Sequence, residues 1–317
     1  MDMKKRMLVI ACIGLLLGIG SFLLINQLNT NNTENNTATQ QEDAEQNDKR
    51  QEKQKNEKKD NEKGENKGDE LNKDSPPQRL KERVVEAVQG TVDIFTKEET
   101  RIVAVGDSLT QGVGDSTGNG GYVGILNNTV NQINHLVEFD NYGHRGDRTD
   151  QLLKRMDAPN VSTSIADADI VLMTIGANDI MQVVKENFTN LNMKEFKEER
   201  VHYEARLRKI FAKIRKMNPE TEIYLVGFYN PYDKYFKDID ELAMIVDDWN
   251  SAGKAITEEL DHVNYIPTKD LFDDTEENLF AEDNFHPNDL GYQRMAKRVL
   301  EYLTKKGEHN VQTKEND

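Results

Sequence analysis

Apolar positions are distributed unevenly along this chain, and their pattern divides it into three parts. Residues 7–25 carry no charge and are mostly apolar, which is close to the ~20 residues that a helix needs to cross a bilayer. Only three of residues 31–75 are apolar, too few to bury a core, so this segment is predicted to be disordered. The predicted organisation is a membrane segment in 1–30, a disordered polar linker in 31–75 and a folded domain in 76–317, with its core in 98–306.

The folded part alternates predicted helices and strands. Residues 78–95 carry apolar residues at helical spacing and are predicted to form an amphipathic helix that leads into the domain. The strands that follow are apolar on both faces, which is typical of a parallel sheet with helices on both sides. We therefore predict a three-layer α/β/α fold around a mainly parallel sheet. The predicted strands are 101–106, 137–141, 169–176, 222–228 and 262–266, and the predicted helices are 121–135, 194–217, 239–260 and 289–304.

The N-terminal segment allows three interpretations. Its basic residues Lys4, Lys5 and Arg6 stay in the cytoplasm by the positive-inside rule, so an uncleaved anchor would place the rest of the chain outside the cell. A cleaved signal peptide has the same basic start but a shorter apolar region and a small-residue cleavage site, and no clear site follows Ile25. The sequence before Cys12 superficially fits a lipidation signal, yet the apolar run continues well past it. The anchor is the preferred interpretation.

Charge and cysteine content exclude several classes of function. The 317 residues contain 57 acidic and 41 basic residues, a net charge of −16, whereas a nucleic-acid-binding face needs an excess of Lys and Arg. Most of this acidity belongs to the folded part, because residues 98–317 have a net charge of −15. A single cysteine excludes a disulfide framework and any site with several thiolate ligands.

Polar motifs follow the predicted strands, where a parallel sheet gathers its functional groups beyond the carboxyl ends. The first strand leads into Gly106–Gly112, which reads GDSLTQG, and the second into Asn141–Thr149, which reads NYGHRGDRT. The third strand ends in Gly176–Asp179, GAND, and the last helix is preceded by Asp283–Asn288, DNFHPN. These motifs should lie along one edge of the sheet and bring together a hydroxyl, a histidine and a carboxylate.

These four motifs, in this order, resemble those of the SGNH, or GDSL-type, hydrolases over roughly residues 98–306, and the first is most similar to the Gram-positive YpmR-like branch. The resemblance implies a flavodoxin-like fold and acyl hydrolase activity. It also implies an oxyanion hole made by the N–H groups of Ser108 and Gly146 and the side-chain amide of Asn178. Gly143 remains an alternative to Gly146, because the second motif is the loosest match. The third motif has Ala177 where many members have glycine.

The chemistry of these residues supports the implied roles. A serine hydroxyl is a weak nucleophile until a base accepts its proton, which is the role expected of His286 for Ser108. Asp283 lies three residues before His286 and is expected to hold the imidazole in its working tautomer. Thr110 stands where the nucleophile elbow of α/β-hydrolases requires glycine, so that motif is not matched. Asp283 and His286 could both bind a metal ion, but two ligands without a third nearby are too few for a metal site. No organic cofactor is implied.

The resulting expectation is a serine esterase or lipase that is anchored to the membrane and faces outward. Its substrate is expected to be an ester of a lipid, an O-acetyl group on a wall glycan or a thioester. The alternative is a non-catalytic module that binds the cell envelope and keeps the fold. The oligomeric state, the acyl length and the alcohol part of the substrate are left open by the sequence.

Overall fold

A computed structural model of the chain describes residues 100–132, 137–187, 192–231, 240–273 and 275–314, with side chains to residue 304. The predicted membrane segment, the predicted linker and the predicted helix 78–95 lie outside these residues. No helix within the described ranges is long and apolar enough to cross a membrane.

Five strands form one sheet in which every neighbouring pair is parallel. They are β1 (Thr100–Gly106), β2 (Val137–Gly143), β3 (Ile170–Thr174), β4 (Glu222–Val226) and β5 (Val263–Ile266). Their order across the sheet is β2-β1-β3-β4-β5, so β1 has a partner on each side. The predicted parallel α/β fold is confirmed, and each predicted strand is present with its ends shifted by at most two residues.

Eight α-helices lie in the described part of the chain. They are α1 (Ser108–Gln111), α2 (Gly121–Val130), α3 (Thr149–Arg155), α4 (Pro159–Ala166), α5 (Ala177–Glu186), α6 (Met193–Met217), α7 (Asp240–Glu258) and α8 (Asp289–Lys314). A 3₁₀ helix follows β5 at Lys269–Leu271. The sequence pattern predicted α2, α6, α7 and α8 but missed the other four. These four have at most ten residues and bury two or three side chains each, so the stretch of sequence that carries their pattern is short.

The helices lie on both faces of the sheet. Ile102 and Ala104 of β1 belong to one apolar cluster together with buried residues of α2 and α8. Val103 and Val105 point to the other face, because side chains alternate along a strand, and both are fully buried. The long helix α6 contacts α3, α4, α5 and α7. The three layers of the predicted fold are therefore present.

Three strands end at the same level on one edge of the sheet. The register places Gly106, the last residue of β1, beside Gly143 of β2 and Thr174 of β3. The first three motifs begin within two residues of these positions, so the parallel register alone brings them together. This edge carries the candidate site.

Candidate active site

The candidate nucleophile lies at the start of a short helix directly after β1. Gly106 has a φ of +146°, and a Cβ there would lie 2.1 Å from the carbonyl oxygen of Thr174, so only glycine fits. Asp107 is the N-cap of α1, and its Oδ1 accepts hydrogen bonds from the Leu109 N–H (3.0 Å) and the Thr174 hydroxyl (2.8 Å). Ser108 follows as the first residue of α1, so its N–H has no acceptor inside the helix.

The carboxyl group of Asp107 is buried beside the candidate nucleophile. Burial raises the pKa of Asp107 from 3.8 to about 7, although the hydrogen bonds from Leu109 and Thr174 favour its ionised form. The charges of the buried Asp179 and Asp147 raise this pKa further. Ionisation of Asp107 therefore takes place near neutral pH and opposes folding.

Replacement of Asp107 by asparagine is expected to make the stability of the fold less dependent on pH. The folded-state pKa of Asp107, about 7, lies above the unfolded value of 3.8. The protonated carboxyl group therefore adds its full share to the free energy of unfolding below pH 4, and this share is lost as the pH rises through 7. Asparagine keeps the N-cap acceptor but does not ionise. Between pH 5 and pH 8, urea unfolding should show that the wild type loses about 2–3 kcal/mol more unfolding free energy than Asp107→Asn.

The exposed Asp150 of α3 provides the matched control for this experiment. Its carboxylate pairs with Arg148 at the surface, so Asp150→Asn should keep the pH dependence of the wild type. Equal losses of unfolding free energy in the wild type and in Asp107→Asn would contradict the raised pKa of Asp107.

His286 connects Ser108 to an ionised carboxylate. Its Nε2 lies 3.0 Å from Ser108 Oγ, and its Nδ1 lies 2.5 Å from Asp283 Oδ2. Burial by itself would raise the pKa of Asp283, but the hydrogen bond and charge of His286 and the N–H groups of His286 and Phe285 lower it from 3.8 to about 2. An ionised Asp283 can only accept, so Nδ1 carries the proton and the lone pair of Nε2 faces the Ser108 hydroxyl.

The loop of residues 281–288, which carries His286, is held by groups from other parts of the domain. The Tyr229 hydroxyl, just beyond β4, donates to the carbonyl oxygen of Phe285 at 3.0 Å. Gly114, in the loop after α1, packs directly on the histidine, because a Cβ there would lie 3.0 Å from His286 Cβ. The position of the imidazole is therefore set by the loop after α1 and by the end of β4 as well as by its own loop.

The turn after β2 presents the N–H of Gly146 rather than that of Gly143. A Cβ on Gly143 would lie 2.1 Å from the backbone nitrogen of Gln111, and the Gly143 N–H donates to Asn141 Oδ1 at 2.8 Å. Gly146 is exposed and has a φ of +85° in the turn of residues 144–147. Among the described residues, none accepts a hydrogen bond from the Gly146 N–H. The geometry thus favours Gly146 over Gly143 as an oxyanion donor.

The side chain of Asn178 reaches the same turn from the first helical turn after β3. Its Nδ2 donates to the carbonyl oxygen of Asp147 at 3.0 Å. The junction before it is tight, because Gly176 has a φ of +123° and a Cβ there would lie 2.7 Å from the Tyr203 ring. An amide group has two N–H donors, so one of them serves the turn and a second is left for another acceptor.

Sequence reasoning missed two buried aspartates that hold these turns in place. Asp147 accepts from Arg155 Nε at 2.7 Å. Asp179 accepts from the hydroxyl of Thr149 at 2.5 Å and from Arg206 at 2.9 Å, which ties the second motif to the third and to α6. Both aspartates stand within motifs that the sequence marks, but their partners lie 8 to 30 positions away and only the fold brings them close.

Residues 104–294 of the chain match the model of the GDSL-like Lipase/Acylhydrolase family. The chain is 37% identical over 226 residues to the "Uncharacterized protein YpmR" of Bacillus subtilis (strain 168), which covers 70% of this chain and 88% of that protein. The chain therefore belongs to the GDSL-like lipase/acylhydrolase family. The family and the YpmR-like branch predicted from the four motifs are confirmed.

Other relatives are named as lipases and esterases. The spore germination lipase LipC of Bacillus licheniformis is 25% identical over 204 residues, which covers 62% of this chain and 92% of LipC. The structure of the lipase Lip_vut3 from a goat rumen metagenome has a TM-score of 0.57 and 23% identity, and covers 63% of this chain and 95% of its own. The structure of a catalytic mutant of Axe2, an acetylxylan esterase from Geobacillus stearothermophilus, has a TM-score of 0.50 and 22% identity. It covers 64% of this chain and 94% of its own. At the level of the family, the chain is a carboxylic ester hydrolase.

Proposed function

We propose that this protein hydrolyses carboxylic esters through an acyl-enzyme formed on Ser108. One observation carries the proposal: Ser108 Oγ, His286 and Asp283 form a continuous hydrogen-bonded chain of 3.0 Å and 2.5 Å between residues that are 178 positions apart in sequence. Such a chain activates a serine hydroxyl, because the base that accepts its proton is itself oriented by an anion.

In the first half of the reaction, Ser108 Oγ attacks the ester carbonyl carbon and its proton moves to His286 Nε2. The resulting imidazolium is stabilised by the Asp283 carboxylate, whose lowered pKa of about 2 keeps it ionised at neutral pH. The tetrahedral intermediate then collapses, the bond to the alcohol oxygen breaks, and His286 gives its proton to the leaving alcohol. An acyl group remains on Ser108.

In the second half, water takes the place of the alcohol. His286 Nε2 accepts a proton from the water, whose oxygen attacks the acyl carbonyl carbon. The bond to Ser108 Oγ breaks, the proton returns to Ser108, and a carboxylic acid leaves. These steps use only side-chain and backbone groups of the chain. Within the described ranges, no group of three or more His, Cys, Asp or Glu side chains is placed to hold a metal ion.

Negative charge that develops on the carbonyl oxygen needs fixed donors. The proposed donors are the N–H groups of Ser108 and Gly146 and the second N–H of Asn178. The first belongs to the free end of a helix, the second has no acceptor among the described residues, and the third is held by the bond to Asp147. A donor of this kind typically contributes about 2.7–4 kcal/mol to the transition state.

The proposed substrate class is an ester of a lipid or of a cell-envelope component. The relatives named as a spore germination lipase and an acetylxylan esterase support this breadth, since they differ in the acyl and alcohol parts that their names imply. The alternative function is an envelope-binding module without turnover. The intact hydrogen-bonded chain at Ser108 favours the enzyme.

The test is to incubate the purified full-length protein with 4-nitrophenyl esters from acetate to palmitate and with a fluorophosphonate probe. We expect ester turnover and probe attachment to the peptide that contains Ser108, found by mass spectrometry. A preference for short acyl groups would indicate deacylation of glycans, and a preference for long ones would indicate lipids. No turnover together with no labelling of Ser108 would favour the binding module.

We also propose that residues 7–25 anchor the protein in the cell membrane, with the polar linker 31–75 holding the hydrolase domain outside. The basic residues before the apolar segment support this orientation. Protease added to intact protoplasts should then remove the domain, and the untreated protein should sediment with membranes. Recovery of the shortened protein in the medium would indicate the cleaved signal instead, and protection from the protease would contradict an outward orientation.

A further inference from the structure

One arginine beside the candidate site has no partner for its charge among the described residues. The described part of the chain contains ten arginines, and nine of them donate a guanidinium N–H to a carboxylate or to a backbone carbonyl oxygen. Arg145 is the exception within these ranges, and its residue is exposed. An unpaired guanidinium is unexpected in a domain whose acidic residues outnumber its basic residues.

Arg145 lies in the turn that presents the proposed oxyanion donor. The Gly146 N–H belongs to the peptide group that joins Arg145 to Gly146. The Cα of Arg145 is therefore only two bonds from the nitrogen of that donor. The turn is fixed on both sides: the Arg145 N–H donates to Gln111 Oε1 at 2.7 Å, and the His144 N–H donates to the Gly106 carbonyl oxygen at 2.9 Å. The side chain of Arg145 therefore starts from a defined position beside Gln111, the last residue of α1.

The carboxylate nearest to Arg145 in sequence is already occupied. Asp147, in the same turn, is buried and lies 2.7 Å from Arg155 Nε and 2.9 Å from His144 Nδ1. The next carboxylate, Asp150, pairs with Arg148. Asp140, on the other side in sequence, pairs with Arg101. The guanidinium of Arg145 is therefore available to an anion from outside the described residues.

We propose that Arg145 binds an anionic group of the substrate, a phosphate or a carboxylate a few bonds from the scissile carbonyl. This inference rests on the proposed ester hydrolysis and adds to it the charge of the substrate. A guanidinium is suited to the role because its planar N–H groups match the oxygens of both anions. The domain's net charge repels anions at a distance, but salt screens exposed charges beyond about 8 Å at physiological ionic strength. Contact with Arg145 then decides which ester is favoured.

The test compares matched esters on the full-length protein. On the acyl side, 4-nitrophenyl hemisuccinate has a charged end and 4-nitrophenyl butyrate has a neutral end. On the alcohol side, 1-butyrylglycerol 3-phosphate is charged and 1-butyrylglycerol is neutral. For each pair, the measured quantity is the ratio of kcat/KM for the anionic ester to kcat/KM for the neutral ester. Arg145→Gln removes the charge, Arg145→Lys keeps it without the planar group, and Arg148→Gln is the matched control, since Arg148 already pairs with Asp150.

In at least one pair, we expect this ratio to fall about tenfold in Arg145→Gln, to fall less in Arg145→Lys and to stay at the wild-type value in Arg148→Gln. The change should appear in KM for the anionic ester rather than in kcat, because the contact forms in the bound substrate as well as in the transition state. The pair that responds identifies the side of the ester that carries the anion.

The inference is overturned if the wild type hydrolyses these esters but Arg145→Gln leaves both ratios unchanged. That result would leave the proposed function intact. The absence of hydrolysis of any ester by the wild type is a different outcome, which would overturn the proposed function and the role of Arg145 with it.

Discussion

Replacement of Ser108 by alanine is expected to lower kcat for ester hydrolysis by about 10⁴–10⁶-fold. The change removes the atom that lies 3.0 Å from His286 Nε2 and leaves the base with no nucleophile to activate. The fold should be unaffected, because Asp107 caps α1 through its own side chain and the backbone N–H of Leu109. The measurement is kcat on a 4-nitrophenyl ester, with urea unfolding to check stability.

Ser162→Ala is the matched control for this change. Ser162 is a serine of α4 whose hydroxyl donates only to the Pro159 carbonyl oxygen in the described structure, at 3.2 Å, so its removal should leave kcat within about twofold. Fluorophosphonate labelling should be lost in Ser108→Ala and kept in Ser162→Ala. Full activity in Ser108→Ala would show that Ser108 does not form an acyl-enzyme.

The second large effect is expected for Asp283→Asn, which should lower kcat by about 10⁴-fold. The substituted side chain would have nearly the same shape, but being neutral it could not stabilise the imidazolium, and its amide could donate to His286 Nδ1. The proton of His286 would then sit on Nε2 and face Ser108, where a lone pair is needed. The effect should appear in kcat, with little change in KM, because the carboxylate stabilises charge only during the reaction.

Asp270→Asn separates this effect from the general loss of a carboxylate. Asp270 lies on the 3₁₀ helix and pairs with Arg298 at 2.6 Å, away from the imidazole, so its replacement should leave kcat near the wild-type value. A loss of less than about tenfold in Asp283→Asn would contradict the proposed role of the carboxylate. It would indicate that the loop of residues 281–288 orients His286 by backbone contacts alone.

The acidic domain and the unpaired Arg145 together suggest how substrate choice could be set. Residues 98–317 have a net charge of −15, and several of their carboxylates pair with arginines at the surface. Against that background, the guanidinium of Arg145, which has no partner among the described residues, supplies a local positive charge in the turn of residues 144–147. The proposed linker would keep the domain near the envelope, where long-range repulsion alone would keep an acidic protein away from anionic polymers. Shortening the linker without loss of activity on native envelope would count against this use.

The sequence was sufficient to predict the five strands and the long helices. Strands such as β3 consist of continuous apolar residues that must be buried on both faces, and helices such as α6 repeat their buried residues every three or four positions. These signals are local and do not depend on which partner covers them. The strands in turn predicted which edge of the sheet carries the site, because the carboxyl ends of parallel strands lie on one side. This edge brings Ser108, Asn178 and the Gly146 turn near one another.

Other features depend on contacts between distant residues, and only the tertiary structure decided them. Gly143 and Gly146 look alike in the motif, but the backbone of Gln111 packs against the first and leaves the second exposed. The raised pKa of Asp107 results from its burial and from the charges of Asp179 in the third motif and Asp147 in the second.

The tertiary structure also leaves Arg145 unpaired among the described residues, because the neighbouring Asp147 accepts a hydrogen bond from Arg155 instead. The sequence by itself therefore determined which residues are candidates for the chemistry and which layers bring them to one edge. The structure decided which donors stay free and which charges stay unpaired. The physical reason is that burial and pairing depend on the whole set of neighbours, whereas periodicity depends only on the local chain.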